Sequence, residues 1–324
     1  MAADMPRNTA VGSARLLQES PRPSEDVSVV LLTKNAGAHF REVLDVVCRQ
    51  VLDRPYEVVI VDSTSSDTTT AIAKEFPVTV YQIPALDFGH GKTRNLGARL
   101  ANGEIIVFLT QDAIPCGNYW LREHLRRLAG ERVAGVFGRQ LPHPRSRPTD
   151  DFSYSRDYPA HDALINSENA DQYSVVFSDV NSAIRKSLLL RFPFPDDIIV
   201  SEDVYWASKV MSEGFSIAYS SRAAVVHSHS YSLATVFQLS FDQGVGHTQC
   251  HALTSPIGSR SFKRLQEKLL YLISKHALRW IPYAIVVDAL RFVALWLGMH
   301  HRFLPVSVKL RIGKLHSFWS SHGS

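Results

Sequence analysis

The sequence predicts an α/β fold with a largely parallel central sheet flanked by helices. Three observations carry this expectation. Short β-branched apolar runs alternate with segments of helical periodicity, the runs are apolar throughout as in strands covered on both faces, and polar residues gather where the runs end. Val27–Thr33 (VSVVLLT) reads as the first buried strand. After the turn KNAG, apolar residues at Phe40, Val43, Leu44, Val47 and Val51 recur at helical spacing. Tyr56–Asp62 (YEVVIVD) is the second strand, and STSSDTTTAIAKEF leads through capping residues into a helix. PVTVYQI is the third strand. DFGHGKTRN opens a short helix, and Glu104–Thr110 (EIIVFLT) is the fourth strand.

Beyond this half, Val133–Gln140 is a further strand and LPHPRSRPTDD a proline-rich connection. SVVFSDVNSAIRKSLLLRF mixes a strand with a helix, EDVYWASKVMSEGF is helical, SIAYSSRAAVVHS is a strand, and the chain from about Phe262 is mostly helical. We expect a flexible leader at 1–26, an α/β unit at 27–250, and a basic, largely helical region at 251–324. With 324 residues, 45% hydrophobic and 20% charged, the chain belongs with globular proteins. Its three cysteines lack metal-site spacing and are odd in number, which fits a reducing compartment. The net charge of +4 is uneven: residues 251–324 carry +9 and the rest −5. Such a basic block suits an anionic partner.

GHGKT, inside DFGHGKTRN, resembles the end of a phosphate-binding P-loop. The motif requires glycine where Leu86 stands and a place after the first strand, not the third, so Lys92 and Thr93 are a chance match. Gly89 and Gly91 nonetheless permit an unusual backbone around His90. Arg94 near a helix N-terminus is unfavourable for the helix dipole and asks for an anion nearby. Thr33 and Asn35, Asp62 and Ser63, and Gln111 and Asp112 stand at the ends of three strands, where such a sheet places its ligand.

VSVVLLTKN, EVVIVDSTSSDTT, HGKTRNLGARLANGEIIVFLTQDAIP and VSEDVYWASKVMSEGF together resemble an inverting family 2 glycosyltransferase of the nucleotide-sugar-binding GT-A fold. DFGHGKTRNLGA, FLTQDAIP, HSHSYS and WIPYAIVVDALRF are most similar to bacterial dTDP-rhamnosyltransferases of O-antigen and other surface polysaccharide synthesis. The resemblance implies a donor site of Thr33, Asn35, Asp62, Ser63, His90, Arg94 and Gln111, with Arg94 near the diphosphate. It implies a divalent ion, magnesium or manganese, at Asp112, the last position of a D-x-D whose first aspartate is here Thr110, with His229 of the pair His227 and His229 joining it. In SED (Ser201–Asp203) it implies Asp203 as general base, with Glu202 able to exchange roles and to contact the acceptor, and Trp206 as a stacking surface for the acceptor sugar.

The implied donor is dTDP-L-rhamnose and the implied acceptor a glycan or a lipid-linked glycan. The same fold using a UDP-hexose, or a non-catalytic binding protein on a degenerate transferase fold, are the alternatives. No nucleic-acid module accompanies the basic tail. WIPYAIVVDALRFVALWLGMHH (Trp280–His301) is interrupted by Asp288 and Arg291, so it reads as an interfacial segment making peripheral membrane contact, or as a helical subdomain or oligomer contact. The expected location is cytoplasmic, at the inner face of the inner membrane.

Overall fold

The computed structural model describes residues 13–21, 24–130, 132–249, 257–316 and 318–319. In chain order the first half holds β1 (Arg15–Gln18), β2 (Val27–Thr33), α1 (Phe40–Val47), β3 (Tyr56–Asp62), α2 (Thr69–Ala73), β4 (Thr79–Gln82), α3 (His90–Leu100), β5 (Ile105–Thr110), β6 (Ile114–Pro115) and α4 (Trp120–Leu128). The second half holds β7 (Val133–Leu141), α5 (Pro148–Asp157), β8 (Ala163–Ile165), β9 (Asn181–Arg185), α6 (Lys186–Arg191), α7 (Glu202–Ser212), β10 (Ser216–Val226), α8 (Leu233–Gln249), α9 (Ile257–Ser274), α10 (Ile281–Met299) and α11 (Val306–Ile312).

The strands form one sheet in the order β1, β4, β3, β2, β5, β9, β7, β10, β6, with β8 also on β10. β4, β3, β2 and β5 are mutually parallel, as expected. β9 departs from the expectation: it lies antiparallel between β5 and β7, because the long connection through α5 re-enters the sheet at the edge where β7 ends. Successive residues of β2 serve opposite faces, with Val27, Val29 and Leu31 in one buried cluster and Val30 in the other. This two-sided burial is the reason the strand sequence is apolar without alternation.

The chain runs outward from β2 through β3 to β4, then returns to β5 on the other side of β2. The crevice between the carboxyl ends of β2 and β5 is therefore the topological switch point of the parallel half, where such sheets hold ligands.

Two expected boundaries shift. Residues 15–18, inside the expected leader, form an edge strand antiparallel to β4; residues 1–12, 22 and 23 lie outside the described residues. α8, expected to close the α/β unit, packs along α10 and so joins the helical region from Leu233 onward. The two helices touch backbone to backbone. A Cβ added at Gly298 would lie 2.1 Å from the Phe241 carbonyl oxygen, and one at Gly244 would lie 2.3 Å from that of Leu295.

Leu278–Met299 is long and apolar enough to cross a membrane, with mean hydropathy 1.6. Its interrupting Asp288 has a partner: the buried Lys268 of α9 donates to Asp288 Oδ1 at 2.5 Å. The outward stripe of α10, at Ile285, Val286, Phe292, Val293 and Trp296, is about half exposed and wholly apolar.

Gly298→Val should lower the stability of the protein by about 1–3 kcal/mol or more through overpacking. Urea denaturation followed by circular dichroism checks this, and an unchanged midpoint would contradict the close crossing.

Candidate active site

The switch-point crevice holds a pocket of about 270 Å³ lined by β2 and β5 residues, by Lys34, Phe88, His90 and Arg94, and by Gln111, Asp112 and Asp179. Thr33 Oγ1 donates to Asp62 Oδ1 at 2.9 Å. Asp62 is fully buried and also accepts from the Ser65 amide and hydroxyl and from Gln82. Those bonds fold the loop after β3 around the pocket, so in this structure Asp62 shapes the wall and does not face the open volume. Asn35, at φ 47°, likewise accepts from Ser66 and ties the two loops together. Gln111 brackets the backbone of Lys34 through both amide atoms. Ser63 Oγ is buried without a hydrogen-bond partner among the described residues, and Ser63 does not line the pocket.

DFGHGKTRN enters here. Gly91 is needed for proximity: an added Cβ would lie 2.3 Å from the Pro195 carbonyl oxygen. Gly89, by contrast, is in ordinary extended backbone at φ −155°. His90 lies against Phe88, ring centroids 5.0 Å apart, and burial lowers its pKa. Arg94 corrects an expectation. Its buried guanidinium donates to Glu202 Oε1 and sits 3.5 Å from Asp179 Oδ2, so the anions that it requires are protein carboxylates, not primarily a diphosphate.

Glu202 and Asp203 open α7, where the helix dipole favours acids. Ser201, at φ 72°, turns the chain into that helix in a conformation few residues other than glycine adopt. Asp203 Oδ2 accepts from the Asp179 amide at 3.2 Å. Burial and the neighbouring Glu202 charge raise Asp203 to about 6 against the pull of Arg94. Burial raises Asp179 to about 7, again opposed by Arg94. Burial would raise Glu202 too, but Arg94 holds it below its ordinary value. Glu202, expected at the acceptor, is thus sealed into an ion pair. Trp206, expected as an acceptor platform, is 1% exposed and packs against Phe177 and Phe194 in the core. The spacing that puts it one turn after Asp203 turns it inward, away from any sugar.

At the pocket mouth Asp112 meets two histidines. His229 Nε2 is 3.2 Å from Asp112 Oδ2 and His227 Nε2 is 3.6 Å from Oδ1, and the ligand atoms of all three residues lie within 4.8 Å of one another. Burial alone would raise Asp112, but the hydrogen bond from His229 and the two imidazoles hold it at about 2. Burial takes His227 down to about 4, so it is neutral. Its Nδ1 lies 3.0 Å from Gln140 Oε1, which can only accept, because the Gln140 amide nitrogen donates to Tyr158 and Ser178. The proton therefore sits on Nδ1, and the Nε2 lone pair faces His229 Nε2 at 3.2 Å, with Asp112 beyond at 3.6 Å. One carboxylate and two imidazole nitrogens fit a divalent ion. If an ion binds here, His227 and His229 would supply the ligands that Thr110, in place of the first aspartate of the D-x-D, cannot.

Residues 28–191 match glycosyl transferase family 2. The chain is 32% identical to the O-antigen chain rhamnosyltransferase WbaN of Salmonella anatum over 305 residues, 91% of this chain and 96% of that one. The chain belongs to glycosyl transferase family 2. The transferase is also 29% identical to the O-antigen chain rhamnosyltransferase RfbN of Salmonella typhimurium, over 91% of this chain and 96% of the relative. Its fold is that of the mannosyltransferase PcManGT from Pyrobaculum calidifontis, solved with GDP-Man and Mn2+. The TM-score is 0.55 at 21% identity, covering 94% of this chain and 87% of that one. The expected GT-A arrangement is thereby borne out.

Asp179, Gln140 and the metal-facing role of His227 escaped the sequence reading. Asp179 precedes its strand. Because β9 runs antiparallel to β5, its amino end abuts the carboxyl end of β5, where the Thr110 amide donates to the Val180 carbonyl at 3.0 Å. An acid just before the strand carries the signal once that direction is known.

Two outcomes follow for this site. His229→Ala or Asp112→Asn should weaken Mn2+ binding by at least about tenfold, and Gln140→Leu by about tenfold through His227 alone, measured by electron paramagnetic resonance with dTDP present. Unchanged Mn2+ affinity would contradict the ligand set. Arg94→Met should cost about 3–5 kcal/mol in urea denaturation by leaving buried carboxylates unpaired; a cost under about 1 kcal/mol would contradict the ion cluster.

Proposed function

We propose that this transferase moves L-rhamnose from dTDP-L-rhamnose, with inversion, to a hydroxyl of a growing glycan in surface polysaccharide synthesis. The observation that carries the reading is the likeness to two O-antigen rhamnosyltransferases along nine-tenths of the chain. It is supported by a pocket lined by Asp112 of the Asp112, His227 and His229 group and by Asp179, whose amide donates to the raised carboxylate of Asp203. A divalent ion, manganese in preference to magnesium because two ligands are imidazoles, would offset the charge of the donor diphosphate.

The chain's own residues do the rest. Thr33 and Ser63 line or border the nucleoside end, Asp62, Asn35 and Gln111 hold the loops that form it, and His90 and Arg94 close the sugar end. Asp203 takes the proton of the acceptor hydroxyl as that oxygen attacks the anomeric carbon from the face opposite the nucleotide. Its raised pKa suits a base, because it binds the proton without being neutralised at neutral pH.

The catalytic part, about 27–232 in this reading, is completed by a helical region that rests on the cytoplasmic face of the membrane. The support is the apolar stripe of α10 and the tail charge of +9. The inward face of α10 packs on α8, and Asp288 pairs with Lys268, which favours lying on the bilayer over crossing it.

A panel of dTDP-, UDP- and GDP-sugars tests the donor: dTDP-L-rhamnose should be turned over in preference to the others, and preference for a UDP-hexose would overturn the assignment. Asp203→Asn should lower transfer by at least about a hundredfold while donor affinity stays within about twofold; full activity would remove Asp203 as base. Alkaline carbonate should release the protein from membranes, whereas retention in the pellet would mean that α10 spans.

A further inference from the structure

A second cavity, of about 500 Å³, lies between the catalytic part and the helical region, walled by α5, α8 and α10 with Arg264 of α9 at its side. Nothing in the donor site uses it. Its inner end is formed by His229 and Gln140, so it opens onto the metal-binding group. Gln140 also bonds Tyr158 of this cavity and Ser178, next to Asp179, whose amide donates to Asp203. The cavity thus touches the metal-binding group through His229 and is tied to Asp203 through Gln140, Ser178 and the Asp179 amide.

Its lining is that of a saccharide site. Tyr154 and Tyr158 stack with ring centroids 6.1 Å apart, while Tyr231 stacks on His229 at 5.0 Å. Aromatic rings match the apolar faces of sugar rings, and the hydroxyls between those faces need both donors and acceptors. Ser153, Gln243, Arg264 and Asp150 supply both kinds. Two of the three carboxylates in the wall form ion pairs, Asp157 with Arg264 at 2.8 Å and Asp288 with Lys268, and Asp150 accepts from the Ser230 hydroxyl, so with Arg264 and Arg291 also in the wall the cleft carries little net charge and suits an uncharged glycan. The volume lies in the range of pockets that bury most of an organic ligand, more than a single hydroxyl group requires.

We propose that this cleft is the acceptor site and that its occupant is an oligosaccharide, stacked on Tyr154 with its reactive hydroxyl directed toward Asp203. The assignment rests on the glycosyl-transfer reading above. It gives α10 two uses, because Arg291 and Phe292 border the cleft while the neighbouring Val293 and Trp296 belong to the outward apolar stripe. A glycan on a lipid carrier would then place its sugars in the cleft and its lipid along the same helix.

The test uses octyl α-D-galactoside, α-D-glucoside, α-D-mannoside and α-L-rhamnoside as acceptors, the donor that the panel selects, and donor hydrolysis without acceptor as the reference. Tyr154→Ala should raise the KM of the best glycoside about threefold to tenfold, with Tyr154→Phe restoring it. Leu239→Trp, which narrows the cleft from α8, should raise the same KM, and all three variants should keep donor hydrolysis within about twofold of wild type. An unchanged glycoside KM in both Tyr154→Ala and Leu239→Trp would overturn the assignment. So would wild-type donor hydrolysis with no transfer to any of the four glycosides. A wild-type protein that neither binds nor hydrolyses any nucleotide sugar would sink the transferase reading instead, and the cleft assignment with it.

Discussion

At the centre of this molecule one guanidinium faces three carboxylates, Asp179 and Glu202 buried and Asp203 partly so. Arg94 comes from α3, Asp179 from the amino end of β9, and Glu202 and Asp203 from the start of α7, so the ion cluster fixes three elements relative to one another. One positive charge cannot neutralise three acids out of water. Glu202 takes the direct contact and is held ionised, while Asp179 and Asp203 are left with raised proton affinity. A carboxylate that binds a proton near neutrality is what an attacking hydroxyl requires. The same arrangement that would be a poor way to stabilise a core is therefore a direct way to make a base.

Much of this was legible before any coordinates. β2 and β3 fall on the residues that their apolar runs mark, because strands buried on both faces leave no room for polar residues within them. The strand-end rule found Thr33, Asp62 and Asp112, since parallel strands bring their carboxyl ends to one edge. It missed Asp179 for the same reason, as an antiparallel strand offers its amino end there. Helical spacing placed Trp206 near Asp203 but could not say which side of α7 faces the core. Arg94 correctly signalled an anion, and only the fold shows that the anions are protein side chains 85 to 109 positions further along the chain.

The metal-binding group makes the complementary point. A D-x-D reduced to Asp112 looks like a loss in sequence, yet β10 delivers His227 and His229 to it, and Gln140 of the adjacent β7 sets the His227 tautomer. The neighbouring helical region then closes the remaining side of the site. Its packing through Gly244 and Gly298 holds α8 against α10, and with them the cleft that ends at His229. The switch-point pocket, the proposed base and the cleft are thus parts of one construction whose fixed point is the Arg94 cluster.

That cluster is tested most directly by the pH dependence of kcat/KM for transfer. As the proposed base Asp203 would act only when deprotonated, and its folded pKa is raised, so activity should be present above that value and lost as pH falls through it. The rate should fall about tenfold per pH unit below a limb at about 6, the position to which burial and Glu202 raise Asp203. A limb at the ordinary aspartate position, about 4, would mean that Asp203 is not the base or that the buried charge imbalance does not act on it.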